Sequence, residues 1–299
     1  MSQDLQDRAE ATHGGAPAAR RRSGAARVGE SIRTFATWLN VELAPLHGEL
    51  PPLASGPLAR ALGRVGYRLR PPYPPDFSPE LIATIESVEY ATMTSRERIA
   101  AVCEAAAYVT RNRVEGAWVE CGVWRGGSTM AAALTLKRLG DTARELYLCD
   151  TFAGMTEPTD ADGGLEHDAA ATRSYWEQTR REDGTSGWTL ATLPDVQANM
   201  SATGYPAERV HFVEGPVEQT LPGQAPEQIA ILRLDTDWYE STRHELEVLE
   251  PRLVPGGVLI IDDYGAWSGA RRAVDEYFED KPILLARIDY TGRTAIKQW

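Results

Sequence analysis

Ala117-Trp118-Val119-Glu120-Cys121-Gly122-Val123, running into Trp124-Arg125-Gly126-Gly127-Ser128, decides the architecture. A mostly apolar β run ends in a turn with three glycines in six residues, and a helical pattern then lasts from Ser128 to Leu139. Glycine lets the backbone turn tightly and come close to a ligand, and Ser128 is suited to cap the helix. Strand, glycine turn and helix in that order open a βαβ unit.

The same rhythm continues toward the C-terminus. Strands are expected over Glu145–Asp150, Val210–Val213, Ile229–Leu234 and Val258–Ile261, with helices over Leu193–Thr203, Tyr239–Leu249 and Ser268–Phe278. Ile283–Ile288 and Thr294–Gln298 flank Tyr290-Thr291-Gly292 as a closing hairpin. Short β runs alternating with helices predict an α/β fold around a mostly parallel, doubly wound sheet. Between the second strand and the next helix lies a long polar stretch, Thr156 to Gly187.

Toward the N-terminus, Ser78 and Pro79 stand where an N-cap and first helical residue belong, and a second amphipathic helix covers Ser95 to Tyr108. Pro71-Pro72-Tyr73-Pro74-Pro75 reads as a stiff connector. Before it, helical patterns over Ile32–Leu43 and Leu58–Leu69 are separated by Pro51-Pro52, and residues 1–30 lack apolar periodicity. The expected organisation is a disordered tail over 1–30, a helical extension with its Pro-rich connector over 31–77, and the α/β domain over 78–299. Phe35, Trp38 and Leu39 in the extension would suit packing between subunits, so a homo-oligomer is expected.

Composition narrows the function classes. The formal charge of −12 is uneven: residues 1–78 carry ten Lys/Arg against seven Asp/Glu, a net +3 that leaves −15 on residues 79–299. An acidic body disfavours nucleic acid, which needs a basic face, and Arg20-Arg21-Arg22 reads as a solvated tail cluster. No apolar run reaches the ~20 residues of a membrane span. No charged-then-apolar leader pattern is visible, and Cys103, Cys121 and Cys149 show no disulfide or zinc spacing. A cytoplasmic protein with neither membrane nor nucleic-acid partners is expected.

Ligands of an open parallel sheet sit beyond the carboxyl ends of its strands. Leu146-Tyr147-Leu148-Cys149-Asp150 closes the second strand on an acid, placed to accept the two hydroxyl hydrogens of a ribose. Leu232-Arg233-Leu234-Asp235-Thr236-Asp237 and Ile260-Ile261-Asp262-Asp263-Tyr264 end the next pair, 27 residues apart from Asp235 to Asp262. That interval holds one helix and a return strand, so the two ends are neighbours. Carboxylates converging there repel one another unless a cation intervenes, and hard oxygen donors select Mg²⁺ or a similar ion. Of the histidines, His167 lies in the polar stretch, His211 in a strand and His244 on a helix. His167 alone is placed to approach a substrate.

These motifs resemble the macrocin O-methyltransferase family, which includes the novobiocin and mycinamicin O-methyltransferases of antibiotic biosynthesis. The resemblance runs from about Pro74 to the C-terminus. It implies a Rossmann-like class I methyltransferase with a seven-stranded sheet and C-terminal antiparallel hairpin. It also implies a metal-dependent O-methyltransferase using S-adenosylmethionine and Mg²⁺ on a small molecule, often a deoxysugar hydroxyl of a secondary metabolite. By that resemblance Glu120, Cys121, Gly122, Val123 and Ser128 form the methionine-end pocket, and Asp150, Thr151 and Phe152 the ribose side. Asp235, Asp262 and Asp263 match the metal aspartates, and Thr156–Gly187 the mobile segment over the substrate. The proton of the acceptor hydroxyl is expected to go to Asp235 first and Asp237 second, with His167 or a water completing the transfer.

A phenolic or catechol-like acceptor fits the same chelation, and a Rossmann-like binding module without activity is the reading from another class. That module would have lost its site carboxylates, which are present here. A nicotinamide dehydrogenase wants G-x-G-x-x-G and an acid ~20 residues on. Asp150 instead stands 28 positions after Gly122. No nucleophile elbow supports a hydrolase.

Overall fold

In a computed structural model the chain is described over residues 42–45, 67–70, 72–164 and 168–299. It divides into two units, Met1–Pro74 and Pro75–Trp299.

In the first unit, β1 (Glu42–Pro45) pairs antiparallel with β2 (Tyr67–Arg70), Leu43 opposite Leu69. The helices expected over Ile32–Leu43 and Leu58–Leu69 are therefore replaced by strands where they overlap these residues. Val41-Glu42-Leu43 and Tyr67-Arg68-Leu69-Arg70 alternate with the period of a strand, and Pro45 and Pro71 end them. The rest of those patterns, including Phe35, Trp38 and Leu39, lies outside the described residues, as does the tail over 1–30.

The second unit opens with α1 (Pro79–Val88), whose first turn is capped by Ser78 accepting from the Leu81 N–H at 3.2 Å. α2 (Arg96–Arg111) is capped the same way by Ser95, which accepts from Arg98 at 3.1 Å. Then come β3 (Ala117–Cys121), α3 (Gly127–Arg138), β4 (Leu146–Asp150), α4 (Ala169–Thr179), α5 (Leu193–Ala202), β5 (Val210–Glu214) and α6 (Val217–Thr220). β6 (Ile229–Leu234), α7 (Tyr239–Leu249), β7 (Leu253–Ile261), α8 (Ser268–Phe278), β8 (Ala286–Arg287) and β9 (Arg293–Ile296) complete it.

The seven strands lie in the order β5-β4-β3-β6-β7-β9-β8. The first five run parallel, and the β8–β9 hairpin is antiparallel. The chain steps outward from β3 to β5 and then returns to the other side of β3 with β6. β3 and β6 thus flank the topological switch point, where such sheets bind ligands.

Alternation along the strands splits the core. Val119, Cys121, Leu232 and Leu234 join Leu246 and Leu249 of α7 and Val274 and Phe278 of α8 on one face. Trp118, Glu120 and Arg233 alternate to the other, where α2 and α3 pack together. Leu232 has no exposed surface, so its truncation to Ala would cost roughly 2–5 kcal/mol.

β7, the two hairpin strands and α4 depart from the sequence expectation. β7 begins at Leu253, because Val254-Pro255-Gly256-Gly257 is absorbed as an irregularity between the pairs Ile229–Leu253 and Ile231–Val258. The hairpin strands shrink to Ala286–Arg287 and Arg293–Ile296. Inside the polar stretch stands α4, capped by Asp168 accepting from Ala171 at 2.8 Å, with Thr172 and Trp176 as its buried contacts. Among the described residues no helix is long and apolar enough to cross a membrane.

Candidate functional site

The strand ladder continues one residue past the strands and brings their ends into line. Asp235 N donates to Cys121 O, and Asp262 N to Leu234 O, both at 2.9 Å. Gly122 N donates to Cys149 O, and Gly215 N to Asp150 O, again at 2.9 Å. Gly122, at φ +79°, lies so close to β6 that a Cβ there would stand 2.0 Å from the Asp235 carbonyl oxygen. Only glycine allows the turn after β3 to meet the turn after β6 in this way.

A cavity opens above this line of strand ends. Gly122, Val123, Ser128, Asp150 and Thr151 line one side, and Asp235, Asp237, Asp262 and Asp263 the other. Thr94 and Arg98 at the start of α2 complete the carboxylate end. Glu120, Cys121 and Phe152, expected at the cofactor, do not line it. Cys121 has no exposed surface and packs in the core, while Phe152 meets Phe212 edge-on at 6.3 Å.

Glu120 alternates to the α3 face and is 1 % exposed. Its Oε2 accepts from the Thr129 hydroxyl, which in turn accepts from Trp118 Nε1 at 2.8 Å. Its Oε1 is 2.6 Å from Arg233 Nη1. Glu120 is therefore the far anchor of a buried guanidinium, away from the cavity wall.

Arg233 reaches from there into the carboxylates. Its Nη2 is 2.6 Å from Asp262 Oδ1 and 2.8 Å from Asp235 Oδ2. Asp262 also takes Arg98 Nη1 on Oδ2 and the Thr94 hydroxyl at 3.1 and 3.2 Å. Burial raises the Asp262 carboxyl, but Arg233 and Arg98 outweigh it and hold the carboxyl below the usual range.

Its neighbours go the other way. Asp235, with 29 % of its side chain exposed, is pushed well above the usual range by loss of water around the carboxyl and by Asp262 and Asp263, against the pull of Arg233. Burial, then Asp237 and Asp262, push Asp263 up likewise. Burial and then Asp235 push Asp237 up to about 7. Asp237 N donates to Asp263 Oδ2 at 3.1 Å, and Asp237 sits at φ +67°, left-handed for a residue with a side chain.

Asp235, Asp262 and Asp263 can each offer an oxygen such that all three lie within 4.8 Å of one another. Six carboxylates, counting Glu120, Asp237 and Asp289, which pairs with Arg98 Nε at 3.0 Å, face two guanidiniums here. The all-oxygen donor set and its uncompensated charge fit a hard divalent cation, which would relieve the crowding that raises the Asp235 and Asp263 carboxyls.

Asp150 holds the glycine turn. Oδ2 accepts the N–H groups of Val123 at 2.6 Å and Trp124 at 3.1 Å, and Oδ1 that of Phe152 at 2.8 Å. A ribose diol would have to share this carboxylate with those donors. His167 lies outside the described residues. His211 stacks on Tyr147 at 4.5 Å and pairs with Glu145 at 2.7 Å, and His244 meets Leu221 O at 3.1 Å, so neither lines the cavity.

Arg98 and Thr94 carried no motif in the sequence. Arg233 did leave a signal, as the one charged side chain in a strand otherwise apolar and fully buried.

A family model described as Macrocin-O-methyltransferase (TylF) matches residues 86–295. A relative from Streptomyces olivaceus, the 8-demethyl-8-(2,3-dimethoxy-alpha-L-rhamnosyl)-tetracenomycin-C 4'-O-methyltransferase, is 36% identical over 220 residues, 73% of this chain and 80% of that protein. The mycinamicin III 3''-O-methyltransferase of Micromonospora griseorubida is 34% identical over 67% of this chain and 76% of its own. Among solved structures, the O-methyltransferase NovP superposes with a TM-score of 0.59 at 29% identity, covering 70% of this chain and 83% of that one.

Proposed function

The chain belongs to the macrocin-O-methyltransferase family and is an O-methyltransferase, and from that premise we propose that it methylates a sugar hydroxyl of a glycosylated secondary metabolite. S-adenosylmethionine is the methyl donor in this reading, and Mg²⁺ is held by Asp235, Asp262 and Asp263. The observation that carries the metal is the convergence of three carboxylate oxygens within 4.8 Å at the switch point of the sheet. The sugar class is supported by the relative whose name gives a rhamnosyl-tetracenomycin as its substrate.

When bound, S-adenosylmethionine supplies a methyl carbon made electrophilic by its sulfonium, and Mg²⁺ supplies Lewis-acid polarisation and a template for adjacent oxygens. The Gly122 turn, held by Asp150, supports the donor side, and Ser128 and Thr151 face the same cavity. Asp237 takes the proton of the acceptor hydroxyl. It replaces Asp235 in that role because Asp235 is engaged by Arg233 at 2.8 Å and belongs to the metal set, whereas Asp237 stands beside that set and lines the cavity. A carboxylate bound by cations is the weaker base. Bound S-adenosylmethionine would give its methyl carbon to the acceptor oxygen, its sulfur keeping the bonding pair of the broken carbon–sulfur bond.

The test is transfer of labelled methyl from S-adenosylmethionine to rhamnosylated aromatic polyketides and macrolide glycosides, with Mg²⁺ or with excess chelator. Labelled sugar that disappears with chelator and returns with Mg²⁺ supports the reading. Transfer of equal rate in chelator removes the metal from it, and label on an aglycone phenol would move the acceptor off the sugar.

A further inference from the structure

Asp162 has no exposed surface, yet it belongs to neither the cavity wall nor any motif of the strand ends. Its Oδ1 accepts the N–H of Tyr239, the first residue of α7, at 2.7 Å. Its Oδ2 accepts the N–H and the hydroxyl of Thr159, both at 2.7 Å. A buried carboxylate so engaged ties two segments 77 residues apart.

We propose that Asp162 is a positioning residue for methyl transfer: it fastens the segment 159–164 onto the start of α7 and so holds the turn that carries Asp237. The inference rests on the reading of Asp237 as the base.

α7 follows Asp235-Thr236-Asp237-Trp238 directly, and Trp238 at its N-cap has no oxygen with which to satisfy the first turn. Asp162 supplies that acceptor from outside the helix. Asp237, two residues before Tyr239, has φ +67°, a conformation that persists only where the surroundings impose it. Asp263 holds Asp237 from one side through its N–H at 3.1 Å. Asp162 holds it from the other, through Tyr239.

The neighbouring ties share this arrangement. Trp238 Nε1 donates to Thr156 O at 3.1 Å. Ser268, opening α8, donates from N to Gly163 O at 2.8 Å and from its hydroxyl to Ala161 O at 3.0 Å. Gly164 bridges to Trp267. A Cβ at Gly269 would stand 2.2 Å from Asp162 Oδ1, so the first turn of α8 admits the carboxylate only as glycine. The segment 159–164 is thus seated on both helices that follow the aspartate pairs.

Asp162→Ala and Asp162→Asn separate positioning from mere capping. Amide exchange is read across 235–241 in the protein without ligands, and kcat and KM are read with S-adenosylmethionine, Mg²⁺ and a rhamnosylated acceptor. In Asp162→Ala, exchange at Trp238 and Tyr239 should rise by about tenfold or more, and kcat should fall ~10–100-fold with KM for S-adenosylmethionine within about twofold. Asp162→Asn keeps one acceptor oxygen but sets an NH₂ against an N–H, so it should fall between Asp162→Ala and the wild type in both readouts. If the alanine variant does not fold, the asparagine variant decides. Raised exchange with unchanged kcat reduces Asp162 to a cap and overturns the proposal. So does unchanged exchange, whatever the acceptor. A wild type that transfers no methyl group overturns the proposed function instead, and the exchange arm still reads the tie at Tyr239.

Discussion

Arg233, 1 % exposed, places Nη2 2.6 Å from Asp262 Oδ1 while Nη1 holds Glu120 at 2.6 Å. One guanidinium joins the core face of β3 to the carboxylate end of β6 and β7. Arg233→Met would leave Glu120 buried without its counter-charge, and loss of one partner of a buried pair costs about 3–5 kcal/mol. Urea unfolding should show that loss. Arg233→Lys should not restore it, because a single ammonium cannot span Glu120, Asp235 and Asp262 as the fork does. Wild-type stability in Arg233→Met would show that the network carries no structural weight.

Asp237→Asn keeps the size of the side chain and removes the proton acceptor. Turnover should drop by roughly 10²–10⁴, the usual contribution of a general base, while S-adenosylmethionine affinity stays within about twofold. Steady-state kinetics beside calorimetry check this, and near-normal kcat would assign the proton elsewhere.

Gly122→Ala puts a methyl group 2.0 Å from the Asp235 carbonyl oxygen at φ +79°. The two turns must separate, so S-adenosylmethionine binding should weaken by about tenfold or more and the thermal midpoint should fall, with strain of about 1–3 kcal/mol. Gly140→Ala, at φ +80° with open space around it, carries the backbone strain without the collision and serves as the control.

Glu245 on α7 has no exposed surface, and neither carboxyl oxygen has a hydrogen-bond partner among the described residues. Burial pushes its carboxyl well above the usual glutamate range. A carboxyl raised in the folded state supports the fold fully below its unfolded value and loses that support as pH rises through the folded value. Glu245→Gln lacks this loss. The stability of the variant relative to wild type should therefore rise as pH climbs above the ordinary glutamate value of about 4.3. A constant difference in thermal midpoint above that value would show that Glu245 ionises as freely in the fold as outside it.

The strands at the switch point were legible because Ile229–Leu234, interrupted only by Arg233, and Val258–Ile261 are apolar runs ending on acids, and a run buried on both faces has no other use for its length. The convergence of Asp235, Asp262 and Asp263 at neighbouring strand ends was legible for the same reason. Glu120 was not: its partner Arg233 is 113 residues away, and only the pairing of β3 with β6 turns its side chain toward that guanidinium rather than the cavity. α4 escaped notice because Thr172 and Trp176 are its only buried residues, too few to set a helical period. In the first unit, short patterns over Ile32–Leu43 and Leu58–Leu69 suggested helix, but the alternation at Tyr67–Arg70 prevailed where residues are described.

The most direct test of the central claim is calorimetric titration of S-adenosylmethionine into the purified protein, with and without Mg²⁺, repeated on Asp262→Ala. Stoichiometric binding to the wild type is expected, with Mg²⁺ binding lost in Asp262→Ala while the protein stays folded. No binding of S-adenosylmethionine to a folded wild type would contradict it.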